Sequence, residues 1–324
     1  MASLTHPAET IMYRRQPSAG FLLGLILLPL VSASSFAQEA PYLYVLGVVQ
    51  DAGHPQIGCY AEHCQPGWRD ARLRRGATAL GLIDPSANKT FLFEATPNMP
   101  AQLYQLAQEA PLDRYALGGI FLTHAHIGHY AGLMFLGQEA LGASGIPVYG
   151  MPKMRDYLTN NGPWSQLVTQ QNILLQAMTA DTPVTLGQVT VTPFLVPHRD
   201  EYSETVGYRI TGPNKSALFI PDINKWSAWT RDITELVQTV DYALVDATFY
   251  ADDELPGRDM SKIPHPFAAE TMALFKGLAL AQRQKIWFIH MNHTNPLLNP
   301  ASAASHTVRA NGFNVAQEGI RLPL

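Results

Sequence analysis

The segment Phe121-Leu-Thr-His124-Ala-His126-Ile-Gly-His129-Tyr constrains this chain more than any other. A strand-like apolar run ends in a loop that gathers three of the chain's 11 histidines within six residues, and Ala131-Gly-Leu-Met-Phe-Leu then begins a helical pattern. Imidazoles two positions apart converge on one cation, and a third, about a helical turn further on, reaches a neighbouring position. The spacing therefore predicts a metal site carried on a strand, a tight loop and a helix, in that order.

The remainder of the chain has to hold that loop in place. Hydrophobic residues make up 47% of the 324 positions and charged residues 15%, which excludes a disordered or fibrous protein. Lys and Arg total 22 against 26 for Asp and Glu, a net charge of −4 that argues against binding nucleic acid by neutralising phosphates. At the N-terminus, Arg14-Arg15 precedes the apolar run Phe21–Val31 and the small-residue stretch Ser35-Phe36-Ala37. This is the pattern of a cleavable export signal over residues 1–37, followed by a single domain over 38–324. The run is 11 residues, short of the ~20 that a membrane helix needs, so no stable membrane anchor is expected after cleavage. The general secretory route is favoured over the twin-arginine one, because Gln-Pro-Ser-Ala follows the arginines. A periplasmic or secreted protein is the expectation.

Strand patterns fall at Tyr42–Val49, Ala79–Ile83, Phe91–Phe93, Ile120–Leu122, Val189–Val196, Thr205–Ile210, Ala217–Ile220, Tyr242–Val245 and Ile286–Ile289. Helical patterns fall at Ala101–Gln108, Ala131–Leu141, Trp226–Thr239 and Phe267–Leu280. Two face-to-face sheets with helices outside would bury such a series, and so would one doubly wound parallel sheet; periodicity alone does not separate them.

The histidine loop does separate them, because it resembles the metallo-β-lactamase superfamily signature T-H-x-H-x-D-H followed by an apolar helix. The resemblance implies an αββα sandwich, two mixed sheets flanked by helices. It also assigns further ligands in order: His198 in Phe194-Leu-Val-Pro-His, Asp222 in Leu218-Phe-Ile-Pro-Asp, and His290 in Ile286-Trp-Phe-Ile-His, each at a strand's end. His124, His126 and His198 would then hold one metal and His129 and His290 a second, with Asp222 shared. One or two Zn2+ ions are implied, and Mn2+ or Fe2+ suit the same donors. Gly128 departs from the signature by standing where it has aspartate, so the second metal is expected to bind more weakly and an aspartate restored at 128 to strengthen it. Asp51 is a substitute carboxylate, or else a turn residue capping Gly53.

Cys59 and Cys64 are the only cysteines. In an exported protein a local disulfide is expected. The alternative is a structural zinc on Cys59, His63, Cys64 and His293, with His54 as a substitute ligand. That arrangement resembles the phosphodiesterase of bacterial phosphonate breakdown and the B-protein family of pyrroloquinoline-quinone biosynthesis. Likeness to the B family extends to Gln50–Gln56, Pro221–Trp226, Asp246-Ala-Thr-Phe, Ile263–Pro266 and His290–Pro296. An export signal and a nearly intact histidine motif argue against the same job.

His265, before Pro266 at a helix start, resembles the proton-donating histidine of superfamily phosphodiesterases and tRNA 3′-end nucleases. Asp246 matches the acid that would orient it, and Glu94 the acid that braces the histidine loop. The function expected is hydrolysis of an ester or lactone, a phosphodiester or an amide in a small substrate, with no nucleic-acid partner and a homodimer left open. An iron-dependent redox enzyme on the same scaffold, or a non-catalytic metal- or ligand-binding protein, are the alternatives.

Overall fold

Along Lys89–Phe93 the side chains alternate, Phe91 and Phe93 entering one apolar cluster and Leu92 another. A strand with two buried faces belongs to the middle of a layered fold. The structure, a computed structural model, describes residues 39–324, so the export signal read in residues 1–37 lies outside the described residues. Within them, β1 (Tyr42–Gly47), β2 (Ala79–Asp84), β3 (Lys89–Phe93), β4 (Ala116–Phe121), β5 (Ile146–Gly150) and β6 (Ile173–Ala177) form one sheet in sequence order. A second contains β7 (Val184–Leu186), β8 (Val189–Leu195), β9 (Val206–Thr211), β10 (Ser216–Ile220), β11 (Tyr242–Asp246), β12 (Ile286–Ile289) and β13 (Asn314–Val315). The chain then returns through β14 (Arg321–Pro323) to pair antiparallel with β1.

Each sheet is antiparallel in its first half and parallel in its second. The pairs β1/β2 and β2/β3 are antiparallel, while β3 to β6 run parallel. Likewise β7 to β10 are antiparallel and β10 to β13 parallel. The mixed pairing excludes the doubly wound alternative and gives the expected αββα sandwich. Leu80, Leu82, Phe93 and Phe121 of the first sheet meet Tyr208, Phe219 and Phe288 of the second between the layers. Phe93 stacks on Phe121 at 5.1 Å between ring centroids and meets Phe219 edge-on at 6.2 Å, which locks the two sheets together. Outside the first sheet, Leu46, Ile83, Leu92 and Ile120 pack with Met99 and Leu106 of the helix Met99–Glu109. Outside the second, Val237, Phe275 and Val308 come from the helices Ile233–Gln238, Ala268–Phe275 and Ala303–Ala310.

Several boundaries differ from the sequence reading. The first strand stops at Gly47, because Val49 makes separate parallel bridges to Ala77 and Met291. In place of a helix over 131–141 there is one α-turn, Ile127–Tyr130, and a 3-10 segment, Ala131–Leu136. The pattern at 226–239 splits into a 3-10 turn, Trp226–Ala228, and an α-helix that starts at Ile233, where the Asp232 side chain accepts from Thr234 N–H as an N-cap.

Candidate metal centre

The parallel strands of both sheets end at one rim, and the polar residues gather there. Glu94 follows β3, His124 and His126 follow β4, Asp222 follows β10, Asp246 ends β11 and His290 follows β12. Parallel pairing sets their alignment: Ile220 is opposite Val245 and Asp246 opposite Ile289, so Asp222, Asp246 and His290 emerge side by side. His198 arrives from the end of antiparallel β8. Asp51 joins from the first loop, which is tied to this rim by Gln50 N–H donating to Met291 O and Met291 N–H to Val48 O, at 2.8 and 2.9 Å.

The sequence-predicted ligands converge in two sets. In the first, facing atoms of His124, His126, His198 and Asp222 all lie within 4.8 Å of one another. Asp222 Oδ2 is 3.3 Å from His124 Nε2 and 3.2 Å from His198 Nε2, and His124 Nε2 is 2.8 Å from His126 Nδ1. In the second, Asp51, His129 and His290 meet the same limit, with Asp51 Oδ1 3.3 Å from His129 Nε2. Asp222 Oδ2 lies 3.6 Å from His129 Nε2, between the sets, as the shared carboxylate of the sequence reading would.

All five imidazoles follow one rule: one ring nitrogen faces inward and the other faces a supporting oxygen. The supports are Thr123 Oγ1 for His124 (2.9 Å), Glu201 Oε2 for His126 (3.2 Å), Asn224 Oδ1 for His198 (3.3 Å) and Thr248 Oγ1 for His290 (3.0 Å). For His129 it is Glu94 Oε1, at 3.5 Å. Such outer partners fix the ring and tautomer of metal-ligating histidines. Inward-facing atoms are left over: His129 Nε2 and His290 Nε2 are buried without a hydrogen-bond partner, as are, facing elsewhere, Asp222 Oδ1, His129 Nδ1 and both Glu94 oxygens. Each unsatisfied buried atom costs about 1–3 kcal/mol. A divalent cation relieves the inward ones, so the residues fit a metal.

Charge is balanced by proximity. Burial pushes His124 well below the usual imidazole range, as does the neighbouring His129, so it stays neutral and able to ligate. Burial likewise lowers His126 and His290. For His129 burial acts downward too, but the carboxylates of Glu94 and Asp51 prevail and raise it well above its ordinary value. Burial would raise Asp51, yet the adjacent His129, 3.3 Å away, and the charge of His290 hold it down to about 2. For Asp222 burial is outweighed by the surrounding imidazoles, His265 first, and its carboxyl lies well below the usual range.

His265 and Asp246 form a different unit. His265 Nδ1 donates to Asp246 Oδ2 at 2.8 Å; Asp222 Oδ1 is 3.1 Å from the same nitrogen, but one N–H aims at only one oxygen. Burial opposes protonation, but the charges of Asp246 and Asp222 raise His265 to about 9. It lines a cavity of about 510 Å³ together with Arg199, Arg258, Phe249, Ile263 and His293.

The cysteine loop resolves otherwise than by metal. Cys59 and Cys64 are joined in a disulfide, the first of the two sequence readings; of the structural-zinc set of Cys59, His63, Cys64 and His293, the first three keep their ligand atoms within 4.8 Å of one another and His293 does not join them. His63 Nε2 lies 3.4 Å from Cys59 Sγ, and the rings of His63 and His293 are 5.7 Å apart between centroids. His54 packs nearby without entering any metal-ligand group.

Reading the sequence missed the supporting oxygens of Glu201, Asn224, Thr248 and Thr123. Thr248 had a local signal, since an Asp-x-Thr turn lets Asp246 Oδ1 accept from both the Thr248 N–H and hydroxyl. Glu201 approaches His126 from a separate loop and had none.

A model of the Beta-lactamase superfamily domain matches residues 82–291 of this chain. The Coenzyme PQQ synthesis protein B of Xanthomonas oryzae pv. oryzae is 25% identical over 308 residues, 87% of this chain and 99% of that protein. Among solved structures, Zn2+-bound PqqB from Methylobacterium extorquens aligns with a TM-score of 0.72 at 23% identity, over 87% of this chain and 100% of that one. A diphosphatase from the PhnP family aligns with a TM-score of 0.60 at 20% identity, over 88% and 98%.

Proposed function

Because the chain belongs to the β-lactamase superfamily, we propose that it is a metal-dependent hydrolase of small substrates, cleaving an ester or lactone, a phosphodiester or an amide. The observation that carries this reading is the common orientation of five imidazoles, each with one nitrogen toward an outer oxygen and the other facing inward, those of His129 and His290 without a hydrogen-bond partner. His124, His126 and His198 would hold one ion, His129 and His290 a second, and Asp222 would be shared. An ion held there supplies Lewis acidity, making water more acidic and polarising the substrate's carbonyl or phosphoryl oxygen. Zn2+ is the first candidate, since a PqqB relative is described as Zn2+-bound.

The protein's own contribution is positioning and proton transfer. Asp222 is an anion at the centre of the cluster and orients the attacking water as an acceptor. His265, held protonated by Asp246, lines the cavity and delivers a proton to the leaving group. The cavity is of a size for a small molecule, and its walls combine apolar Phe249 and Ile263 with Arg199 and Arg258. We place the reaction outside the cytoplasm, a reading supported by the export pattern of residues 1–37 and by the Cys59–Cys64 disulfide. That separates it from the coenzyme PQQ synthesis for which its relatives are named.

A panel of chromogenic esters, lactones, phosphodiesters and amides, run on chelator-treated protein resupplied with Zn2+, Mn2+ or Fe2+, tests this. Metal-restored hydrolysis of at least one bond class is expected. Oxygen-dependent turnover with Fe2+ and no hydrolysis with any metal would replace hydrolysis by redox chemistry.

A further inference from the structure

The superfamily signature has a carboxylate immediately before His129, and this chain has Gly128 there. Gly128 lies in the helical turn Ile127–Tyr130, so its backbone conformation does not call for glycine. The space around it does. A Cβ at Gly128 would lie 2.5 Å from both Cα and Oδ1 of Asp51 and 2.7 Å from Asp51 Cβ, closer than real side chains approach. The volume that a motif aspartate would use is thus filled by an aspartate from the other end of the sheet.

Asp51 is also aimed as a ligand. Its Oδ1 is 3.3 Å from His129 Nε2 and 4.0 Å from His290 Nε2, two inward ring nitrogens without a hydrogen-bond partner. Its backbone has φ +39°, a left-handed conformation that aspartate tolerates better than most residues. The turn is closed by Gly53 N–H donating to Gln50 O at 3.1 Å, and the loop is anchored through Gln50 to Met291, the residue after His290. A turn residue with only a capping task has no reason to point its carboxylate at two imidazoles.

We infer that Asp51 and Gly128 are one compensated exchange: the second ion's carboxylate ligand comes from the loop after β1, and Gly128 is the space that lets it in. This rests on the metal-centre reading proposed above. It reverses the sequence expectation for position 128, because adding an aspartate there displaces a carboxylate already present.

The test is metal binding to chelator-stripped full-length protein, with Zn2+ as the probe, followed by calorimetric titration and by metal analysis after gel filtration. Wild type is expected to titrate in two steps at the histidine cluster. Asp51→Ala and Asp51→Asn should keep the first ion and weaken the second at least about 100-fold, the upper end of what losing a mere supporting hydrogen bond costs. Gly128→Asp alone should weaken the second ion as well, and the double variant Asp51→Gly with Gly128→Asp should recover it. Thermal melts of each stripped protein establish that the variants fold. Unchanged affinity for the second ion in both Asp51 variants, or tighter binding in Gly128→Asp alone, would overturn the exchange while leaving the metal centre standing. No tightly bound ion in wild type would overturn the metal-centre reading and the exchange with it.

Discussion

The rim of the sandwich and the cysteine loop carry donor sets that look alike on paper. Each combines closely spaced soft or nitrogen donors with a distant histidine, and His290 and His293 are only three residues apart. Their surroundings differ completely. At the rim, ligand atoms stand on the ends of buried strands and are braced by outer oxygens, and the inner nitrogens of His129 and His290 have no hydrogen-bond partner. At the loop, the two sulfurs have each other, neighbouring Tyr60 is 74% exposed, and nothing comparable is left unsatisfied. Spacing nominates donors, but a metal site is distinguished by buried donors that the protein itself leaves unpaired.

The comparison is broken most directly at the rim. His126→Ala removes one of the three imidazoles of the first set, and a methyl group cannot ligate. We expect loss of tightly held metal and a fall in hydrolysis of roughly 1000-fold, since several kcal/mol of transition-state stabilisation go with the ion. Metal analysis and kinetics on the same sample check it; stoichiometric metal in this variant would mean that the set is misassigned.

A smaller effect is expected from Asp246→Asn, which replaces no metal ligand, although Asp246 also accepts from Thr248, the partner of His290. Asp246 supplies charge that raises His265 to about 9. A proton donor works below its pKa, so activity falls as pH rises through that value. Without the charge the pKa drops, and the alkaline limb of the kcat profile should move to lower pH, with kcat reduced about 100-fold. An unshifted limb would remove His265 as the donor.

At the loop the expectation is stability without chemistry. Reductant should open Cys59–Cys64 and lower stability by about 2 kcal/mol, the loop-entropy value for so short a ring, while metal at the rim is retained. His293→Ala should release no metal. Release of one zinc on that substitution, with two free thiols in denatured wild type, would reinstate a zinc at the loop.

The smallest effect concerns Glu254, which accepts hydrogen bonds from Thr294 Oγ1, next to His293, and from Tyr250 N–H. Burial raises its carboxyl to about 7. A raised folded-state pKa means that its stabilisation is complete below the unfolded value, near 4.3, and is lost as pH rises through about 7. Glu254→Gln should therefore flatten the decline in Tm between pH 5.5 and 8 by about 2 °C, the size that roughly 1 kcal/mol produces in a chain of this length. An unchanged slope would assign that decline to other groups.

Legibility in the sequence followed the same physics. The central strands could be read because burial on both faces demands unbroken apolar runs such as Ala217–Ile220. Strands toward the edge could not: β5, next to last in its sheet, contains Pro147, and the edge strand β6 is exposed at Leu174 and Ala177. His124, His198, Asp222 and His290 were legible because each follows a recognisable strand in the superfamily order, and His126 and His129 because they complete the histidine motif begun at His124. Glu201 and Asn224 were not, since a supporting hydrogen bond leaves no pattern along the chain. The choice between disulfide and zinc at Cys59 and Cys64 was open because the same spacing serves both. The meaning of Gly128 was hidden for a further reason: the side chain that fills its space is Asp51, far away in sequence.

The central claim, that metal belongs to the histidine cluster and not to the cysteine loop, is tested most directly by anomalous diffraction at the zinc edge from crystals of the zinc-loaded protein. The account predicts the strongest peak among His124, His126, His198 and Asp222, a second beside Asp51, His129 and His290, and none at Cys59 and Cys64. A peak at the cysteines with none at the histidine loop would contradict it.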